Sequence, residues 1–246
     1  MAKSKIEWTE MTWNPTTGCN KISPGCKYCY AEVFALRLQA MGNEKYKEGF
    51  RFTLQPESLN IPKKWRDPKL VFVNSMSDLF HEKMPVNYLK DIFKVMNECN
   101  HHIFQVLTKR SENLLELSGK LNWTPNIWMG VSVENEDYKY RINHLRKTPA
   151  QIKFLSLEPL LSPLPKLDLN NIDWVIVGGE SGKRARLMKE EWVIDIKNQC
   201  KSNNVAFFFK QWGGMNKKLN GRELKGQTYD EMPKIPETEF ELFEIV

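Results

Sequence analysis

Three cysteines, Cys19, Cys26 and Cys29, lie at C-x6-C-x2-C within TWNPTTGCNKISPGCKYCYAE (12–32). Thiolate sulfur is a soft anionic donor, and three so close in sequence can engage one metal centre from one loop. Gly18, Pro24 and Gly25 interrupt regular structure, so the segment reads as a loop, and YAEVFALRLQAM (30–41) after it reads as a helix. Three thiolates on a loop ahead of a helix suit three irons of a [4Fe–4S] cluster. The fourth iron is then left without a protein ligand, open to a substrate or cosubstrate. The helix N-terminus and loop amides can hydrogen-bond the cluster sulfurs and tune its potential. The rival chemistry is a structural zinc, which wants four protein ligands. A fourth would come from His81, His101, His102, His144, Cys99 or Cys200, none of them close in sequence. Cys99 and Cys200 sit in expected helices and read most simply as small buried apolar residues.

The elements that must position this loop recur along the chain. Short apolar runs rich in β-branched and aromatic residues fall at 50–54, 70–76, 102–108, 126–133, 152–158, 173–179 and 205–212. Several are apolar throughout, as parallel strands covered on both faces are. Helical spacing fills stretches between them, at 86–99, 136–147 and 189–203. Such alternation implies βαβ units and a parallel α/β sheet, closed either as an open doubly wound sheet or as a barrel. Seven runs, with a further strand near Met11–Trp13, favour a full or partial (β/α) TIM-type barrel. The cysteine loop would lie at its C-terminal face, where barrel active sites sit. Residues 1–226 form this domain and 227–246 an acidic C-terminal tail.

Beyond the cysteine loop, NSMSDLFHE (74–82), FQVLTKR (104–110), GVSVEN (130–135), FLSLEPLL (154–161), WVIVGGESG (174–182) and FFFKQWG (207–213) together resemble the bacteriophage three-cysteine-motif family of radical-SAM-like proteins, through nearly the whole chain. The order is also distantly similar to that of spore photoproduct lyase. There a cysteine loop is followed by strands ending in Thr-Asp or Ser-Asp, in Thr-Lys and in Ser-x-Thr. Ser77–Asp78, Thr108–Lys109 and Ser132–Val133–Glu134 stand in those places here. The first cysteine gap is six residues where the commonest radical-SAM spacing has three, which bears on the loop's shape. Tyr28, just before Cys29, matches an aromatic that packs near the adenine of S-adenosylmethionine (SAM).

The resemblance implies a reduced cluster that donates an electron to SAM, giving methionine and a 5′-deoxyadenosyl radical that abstracts hydrogen from a substrate. An external electron donor of flavodoxin or ferredoxin type would be required. On this reading Asp78 accepts the SAM ammonium, Lys109 pairs with its carboxylate, and Ser132 and Glu134 hydrogen-bond the ribose. Gly178 and Gly179 let backbone approach the cofactor closely, with Glu180 and Ser181 next at the mouth. Glu158, Lys210 and Trp212 end later strands as substrate candidates; Trp212 could stack on a base or pack in the core or rim. Lys183, Arg184, Arg186 and Lys189 form either a phosphate-binding patch or a solvated charge cluster.

The bulk composition sets outer bounds. The chain has 246 residues, 41% hydrophobic and 27% charged, ordinary for a soluble domain of this size. No apolar run is long enough to span a bilayer. MAKSKIEWTE lacks the apolar stretch of a signal peptide, and an odd count of five cysteines does not suggest a disulfide scaffold, so a cytoplasmic protein without a membrane partner is expected. Net charge is +6; residues 227–246 hold six acids and one base, so the remainder carries +11. That surplus is compatible with nucleic acid as partner or substrate and equally with a solvated basic surface. A non-catalytic nucleic-acid-binding protein with zinc on the three cysteines is the alternative, and a SAM methyltransferase would need no cysteine loop. No Ser-His-Asp constellation is evident among four scattered histidines.

Overall fold

A computed structural model of the chain describes residue 4 and residues 6–234. In chain order its strands are β1 (Met11–Trp13), β2 (Thr16–Thr17), β3 (Thr53–Leu54), β4 (Leu70–Val73), β5 (Ile103–Thr108), β6 (Ile127–Ser132), β7 (Lys153–Leu157), β8 (Trp174–Gly178) and β9 (Ala206–Gln211). The helices are α1 (Tyr30–Ala40), α2 (Val86–Glu98), α3 (Ser111–Ser118), α4 (Tyr140–Arg146), α5 (Glu190–Ser202) and α6 (Lys217–Asn220). Seven strands, in the order β1-β4-β5-β6-β7-β8-β9, make one parallel sheet curled into a half-barrel. Among the described residues β1 and β9 do not pair, so the barrel is partial rather than full.

Two of the expected elements change places. FRFTL at 50–54 supplies only the short strand β3, which pairs antiparallel with β2 outside the main sheet. The place beside β4 is taken by Met11–Trp13, with Trp13 opposite Val73 and its indole donating to the Ser58 carbonyl at 2.8 Å. The α3 helix, which the spacing analysis does not single out, follows β5 directly.

Alternation at period two divides each strand between two cores. Val73, Val106, Val131, Leu157, Val177 and Phe209 face one core, which Leu89 and Phe93 of α2, Leu145 of α4 and Ile196 of α5 cover. On the other side Phe72, Trp128, Phe154, Trp174 and Phe208 join Trp8 in an aromatic plug. Trp174 sits edge-on to Trp8, Trp128 and Phe208, with ring centroids 5.9–6.2 Å apart. Gly130 is required there because a Cβ would lie 2.4 Å from the Phe154 ring. The aromatic layer fills the half-barrel where a closed barrel would use its missing strands.

The edge at β9 is covered by the start of the acidic C-terminal stretch. Phe209 N–H donates to the Tyr229 carbonyl, Phe207 N–H to the Glu231 carboxylate and the Trp174 indole to the Glu231 carbonyl, at 2.8–2.9 Å. An open edge strand is a template for unwanted pairing, and this return of the chain removes part of it. Residues 235–246, the rest of the expected tail, lie outside the described residues.

Candidate functional site

On β6, β7 and β9 the inward side changes from aromatic (Trp128, Phe154, Phe208) to charged toward the C-terminal end. Ser132 of β6 is level with Ser156 of β7. Two residues further on, the same alternation carries Glu134 and Glu158, while Lys109 follows β5 and Lys210 lies near the end of β9. Lys109 Nζ is 3.5 Å from Glu134 and 3.4 Å from the Glu158 carbonyl. Lys210 Nζ is 3.1 Å from Glu158, which also accepts from the Ser156 hydroxyl at 3.4 Å. The result is a row of alternating charge at the mouth of the sheet. Glu134 is fully buried, its second oxygen bound by Arg141 at 2.9 Å. Burial alone would raise its pKa, but Lys109, Arg141 and the Ser23 hydroxyl outweigh that and hold it below the usual carboxylate value.

The cysteine segment is tied to residues that follow β4, β6 and β8 at several points. Gly18 N–H donates to the Met76 carbonyl and the Ser77 hydroxyl to the Gly18 carbonyl, at 2.9 and 2.7 Å. Gly18 has φ +77°, and a Cβ there would meet the Arg51 carbonyl at 2.0 Å, so only glycine fits. Ser23 donates to Glu134 at 2.5 Å, and Gly25 crosses so close that a Cβ would lie 2.4 Å from the same carboxylate. Arg186 donates to the Pro24 carbonyl at 2.9 Å and lies 5.5 Å from the Tyr28 ring, while Glu180 grips it through a bidentate pair.

Two of the thiols have a side-chain partner. Arg110 Nη1 donates to Cys19 Sγ at 3.3 Å, and Cys26 Sγ is 3.6 Å from the Ser23 hydroxyl. Cys29 is the N-cap of α1, where the Glu32 and Ala31 amides favour its ionised form although neither closes a full cap bond. All three cysteines are free and half-buried. Burial is the main cause that pushes Cys19 up to about 12; the Asp78 carboxylate adds to it and Arg110 opposes it. Burial also raises Cys29, against the amides and Lys109. Such thiols give up their protons when a cation takes the protons' place. Among the described residues no three His, Cys, Asp or Glu side chains converge on one ion position. Three soft thiolates are the donor set that a cluster with one open iron would use, whereas a structural zinc would want a fourth protein ligand. The histidines are engaged elsewhere: His81 stacks on Phe52, His101 and His102 meet the Trp65 and Pro62 carbonyls, and His144 meets Ser111.

Several expected site residues are placed where they serve the protein itself. Asp78 accepts four bonds, from the Thr108 hydroxyl, the Phe80 and Lys109 amides and Arg110, at 2.6–3.1 Å. A carboxylate has about four lone-pair sites, so none is left for a cofactor ammonium. Glu134 likewise spends its oxygens on Ser23, Lys109 and Arg141 rather than on a ribose. A Cβ at Gly178 would meet Glu158 at 2.2 Å and one at Gly179 the Trp212 carbonyl at 2.0 Å. Both glycines thus let the chain's own groups approach closely. Trp212 is held by the Glu223 carbonyl and packs on Phe209 in the helix-covered core, away from any stacking role. Lys183 and Arg184 are exposed, and Lys189 pairs with Glu191.

Arg110 is the residue that sequence reasoning misses. It binds Asp78, Glu82, Cys19 and Asn20 and is 5% exposed. Its signal was only its position after Thr108–Lys109; strand alternation stops there, so the turn that brings it under Cys19 is not legible. Arg141, buried in α4 between the Ser132 carbonyl and Glu134, is a second such residue.

The chain belongs to the family described as protein of unknown function (DUF5131), whose model matches residues 3–233. No curated protein and no solved structure matches it. No helix of the described residues is long and apolar enough to cross a membrane.

Proposed function

We propose that this protein is a radical enzyme that holds one [4Fe–4S] cluster on Cys19, Cys26 and Cys29 and binds SAM at the open iron. The observation that supports the reading is three free thiols of one loop whose Ser23 donates to Glu134, a member of a row of alternating charge with Lys109, Glu158 and Lys210. When bound and reduced, such a cluster supplies one electron to the SAM sulfonium, releasing methionine and a 5′-deoxyadenosyl radical that takes hydrogen from the substrate.

The chain's own residues bind and orient. Lys109, between Glu134 and the Glu158 carbonyl, presents a cation to the methionine carboxylate. Glu158, 14% exposed and shared with Lys210, takes over from Asp78 as acceptor for the ammonium. Arg110 stabilises the Cys19 thiolate, and the aromatic plug below excludes water from the mouth. Exposed Lys183 and Arg184, on the loop that Arg186 ties to the cysteine segment, favour a phosphate-bearing substrate such as nucleic acid.

The test is anaerobic. The protein is reconstituted with iron and sulfide, treated with SAM and dithionite, and assayed for 5′-deoxyadenosine by mass spectrometry. The product is expected from wild type and not from Cys19→Ala, Cys26→Ala or Cys29→Ala. Protein that binds one zinc, takes up no iron and leaves SAM intact would refute the reading.

A further inference from the structure

One helix keeps its apolar side in the open. Within α1 only Ala31 and Ala35 are buried. Tyr30, Val33, Phe34 and Leu36 are 57, 69, 48 and 50% exposed, and Met41, just past the helix end, is 70% exposed. At about 100° per residue these five lie in one arc of roughly 160°, opposite the two alanines. Scattered exposed apolar residues are ordinary; a contiguous set is the mark of an interaction surface. Tyr30, Phe34, Arg37 and Met41 form one row of this arc, and their spacing is symmetric about the midpoint between Ala35 and Leu36. Exposed Lys27 precedes the helix and exposed Glu44 follows it, equally far in sequence from the same midpoint. Lys27 lies over the Tyr28 ring at 5.4 Å, and among the described residues Lys27, Arg37 and Glu44 are in no ion pair. The other charges nearby are turned elsewhere. Lys21 holds Glu32 at 2.7 Å, Arg51 holds Glu48 at 3.2 Å, and Lys45 meets the Ser58 hydroxyl at 2.6 Å. Lys47 lies by Gln39, on the opposite side of α1 from the row.

We infer that this face pairs with the same face of a second copy of this chain, α1 running antiparallel to α1 across a two-fold axis at that midpoint. The inference is independent of the cluster reading. A two-fold contact is isologous, so each residue meets the one equally far beyond the midpoint on the other chain. Tyr30 then meets the partner's Met41, a ring against a thioether. Phe34 meets the partner's Arg37, a ring against a guanidinium. Lys27 comes to the same end of the contact as the partner's Glu44, a cation beside an anion. Every pairing joins unlike groups and forms twice, whereas a parallel arrangement would set Arg37 against Arg37. Antiparallel helices also oppose their dipoles favourably. Other occupants fit less well. Within α1 there is one acid, Glu32, and one base, Arg37, so the helix lacks the basic face that holds an amphipathic helix to an anionic membrane. The Tyr30 and Phe34 rings offer stacking to bases, but a nucleic-acid strand also needs a run of cations along its phosphates, and the row supplies Arg37 alone. A single helix pair is small beside the about 800 Å² per partner of a standard interface, so a reversible dimer of micromolar affinity is expected.

The test is sedimentation equilibrium of the full metal-free chain, with reductant present, from about 1 to about 300 μM. Wild type should pass from monomer to dimer within that range. The decisive variants put opposite charges at one site. Phe34→Lys sets an ammonium against the partner's Arg37 and should weaken the dimer by on the order of tenfold or more, because like charges are brought together. Phe34→Glu sets a carboxylate there and should leave the dissociation constant within about threefold of wild type. Phe34→Lys/Arg37→Glu should restore pairing. Thermal midpoints like that of wild type check that each variant is folded. Lys27→Glu, at an exposed site, should weaken the dimer and Lys27→Glu/Glu44→Lys restore it, whatever Phe34 contributes to folding. Monomer throughout the range would overturn the inference, as would a dimer indifferent to Phe34→Lys or equal losses from Phe34→Lys and Phe34→Glu. Phosphatidylserine vesicles or a single-stranded oligonucleotide bound by monomeric wild type and released by Phe34→Glu would assign the face to another occupant. Protein that takes up no iron leaves this inference standing, and protein that loads a cluster but never dimerises overturns this inference alone.

Discussion

Replacing Arg110 with methionine tests the clamp under the first cysteine without requiring any bound metal. The guanidinium side chain is 6% exposed and its partner Asp78 8%. Removing one member of a buried ion pair costs about 3–5 kcal/mol, because the other charge is left uncompensated. Here Asp78 keeps three donors, the Thr108 hydroxyl and two amides, and half-exposed Glu82 returns to water. The lower end, about 3 kcal/mol, is therefore expected, a change of roughly a hundredfold in the unfolding constant. That is a sizeable part of a typical domain stability of about 5–15 kcal/mol. The assay is urea unfolding of the metal-free, reduced protein at pH 7. Asp78→Asn in the Arg110→Met background should cost far less than in wild type, with a coupling of about 1.5–3 kcal/mol in the double-mutant cycle. Cys19→Ser, which leaves the pair intact, should shift stability little. A loss below about 1 kcal/mol for Arg110→Met, or strict additivity with Asp78→Asn, would show that the pair does not hold the site as described.

Other substitutions probe the surroundings. Gly25→Ala places a methyl 2.4 Å from a Glu134 oxygen; it should cost about 1–3 kcal/mol and lower the iron retained per chain after reconstitution, and full loading with wild-type stability would refute the close approach. Gly130→Ala drives a methyl into the Phe154 ring and should also cost about 1–3 kcal/mol. Gly119→Ala, with open space around it and φ −71°, should be neutral or stabilising by about 0.4–1 kcal/mol, and thermal unfolding separates the two. His102 carries a pH signature. Burial first, then His101, lowers its pKa to about 4 against an unfolded value of 6.5. The unfolded state takes up the proton first as pH falls, so stability is lost from about pH 6.5 down to about pH 4, by at most roughly 3 kcal/mol. His102→Gln should flatten that part of the stability profile relative to wild type, and parallel profiles would refute the assignment.

The residue order by itself determined the α/β class, six of the seven sheet strands as apolar runs, and the three-cysteine loop ahead of a helix. Each is written locally: strand runs in β-branched and aromatic residues, the loop in glycine and proline, the soft-donor chemistry in the thiols. Even the seventh strand is hinted at by Met11–Trp13, although FRFTL is the more apolar run. Which of them joins the sheet was decided by the place beside β4, a non-local pairing to which no local pattern points. The tertiary structure also decided which polar residues are free to act. Asp78 and Glu134 look like ligand acceptors in sequence, but Arg110, Arg141 and Ser23, distant along the chain or beyond a strand end, saturate them. Gly178 and Gly179 look like an opening for a cofactor, but Glu158 and Trp212 fill it. Hydrogen-bonding capacity is finite and space is exclusive, so the role of a side chain is set by the neighbours that folding brings to it. Residue type states what chemistry is available; only packing states which groups still have it to offer.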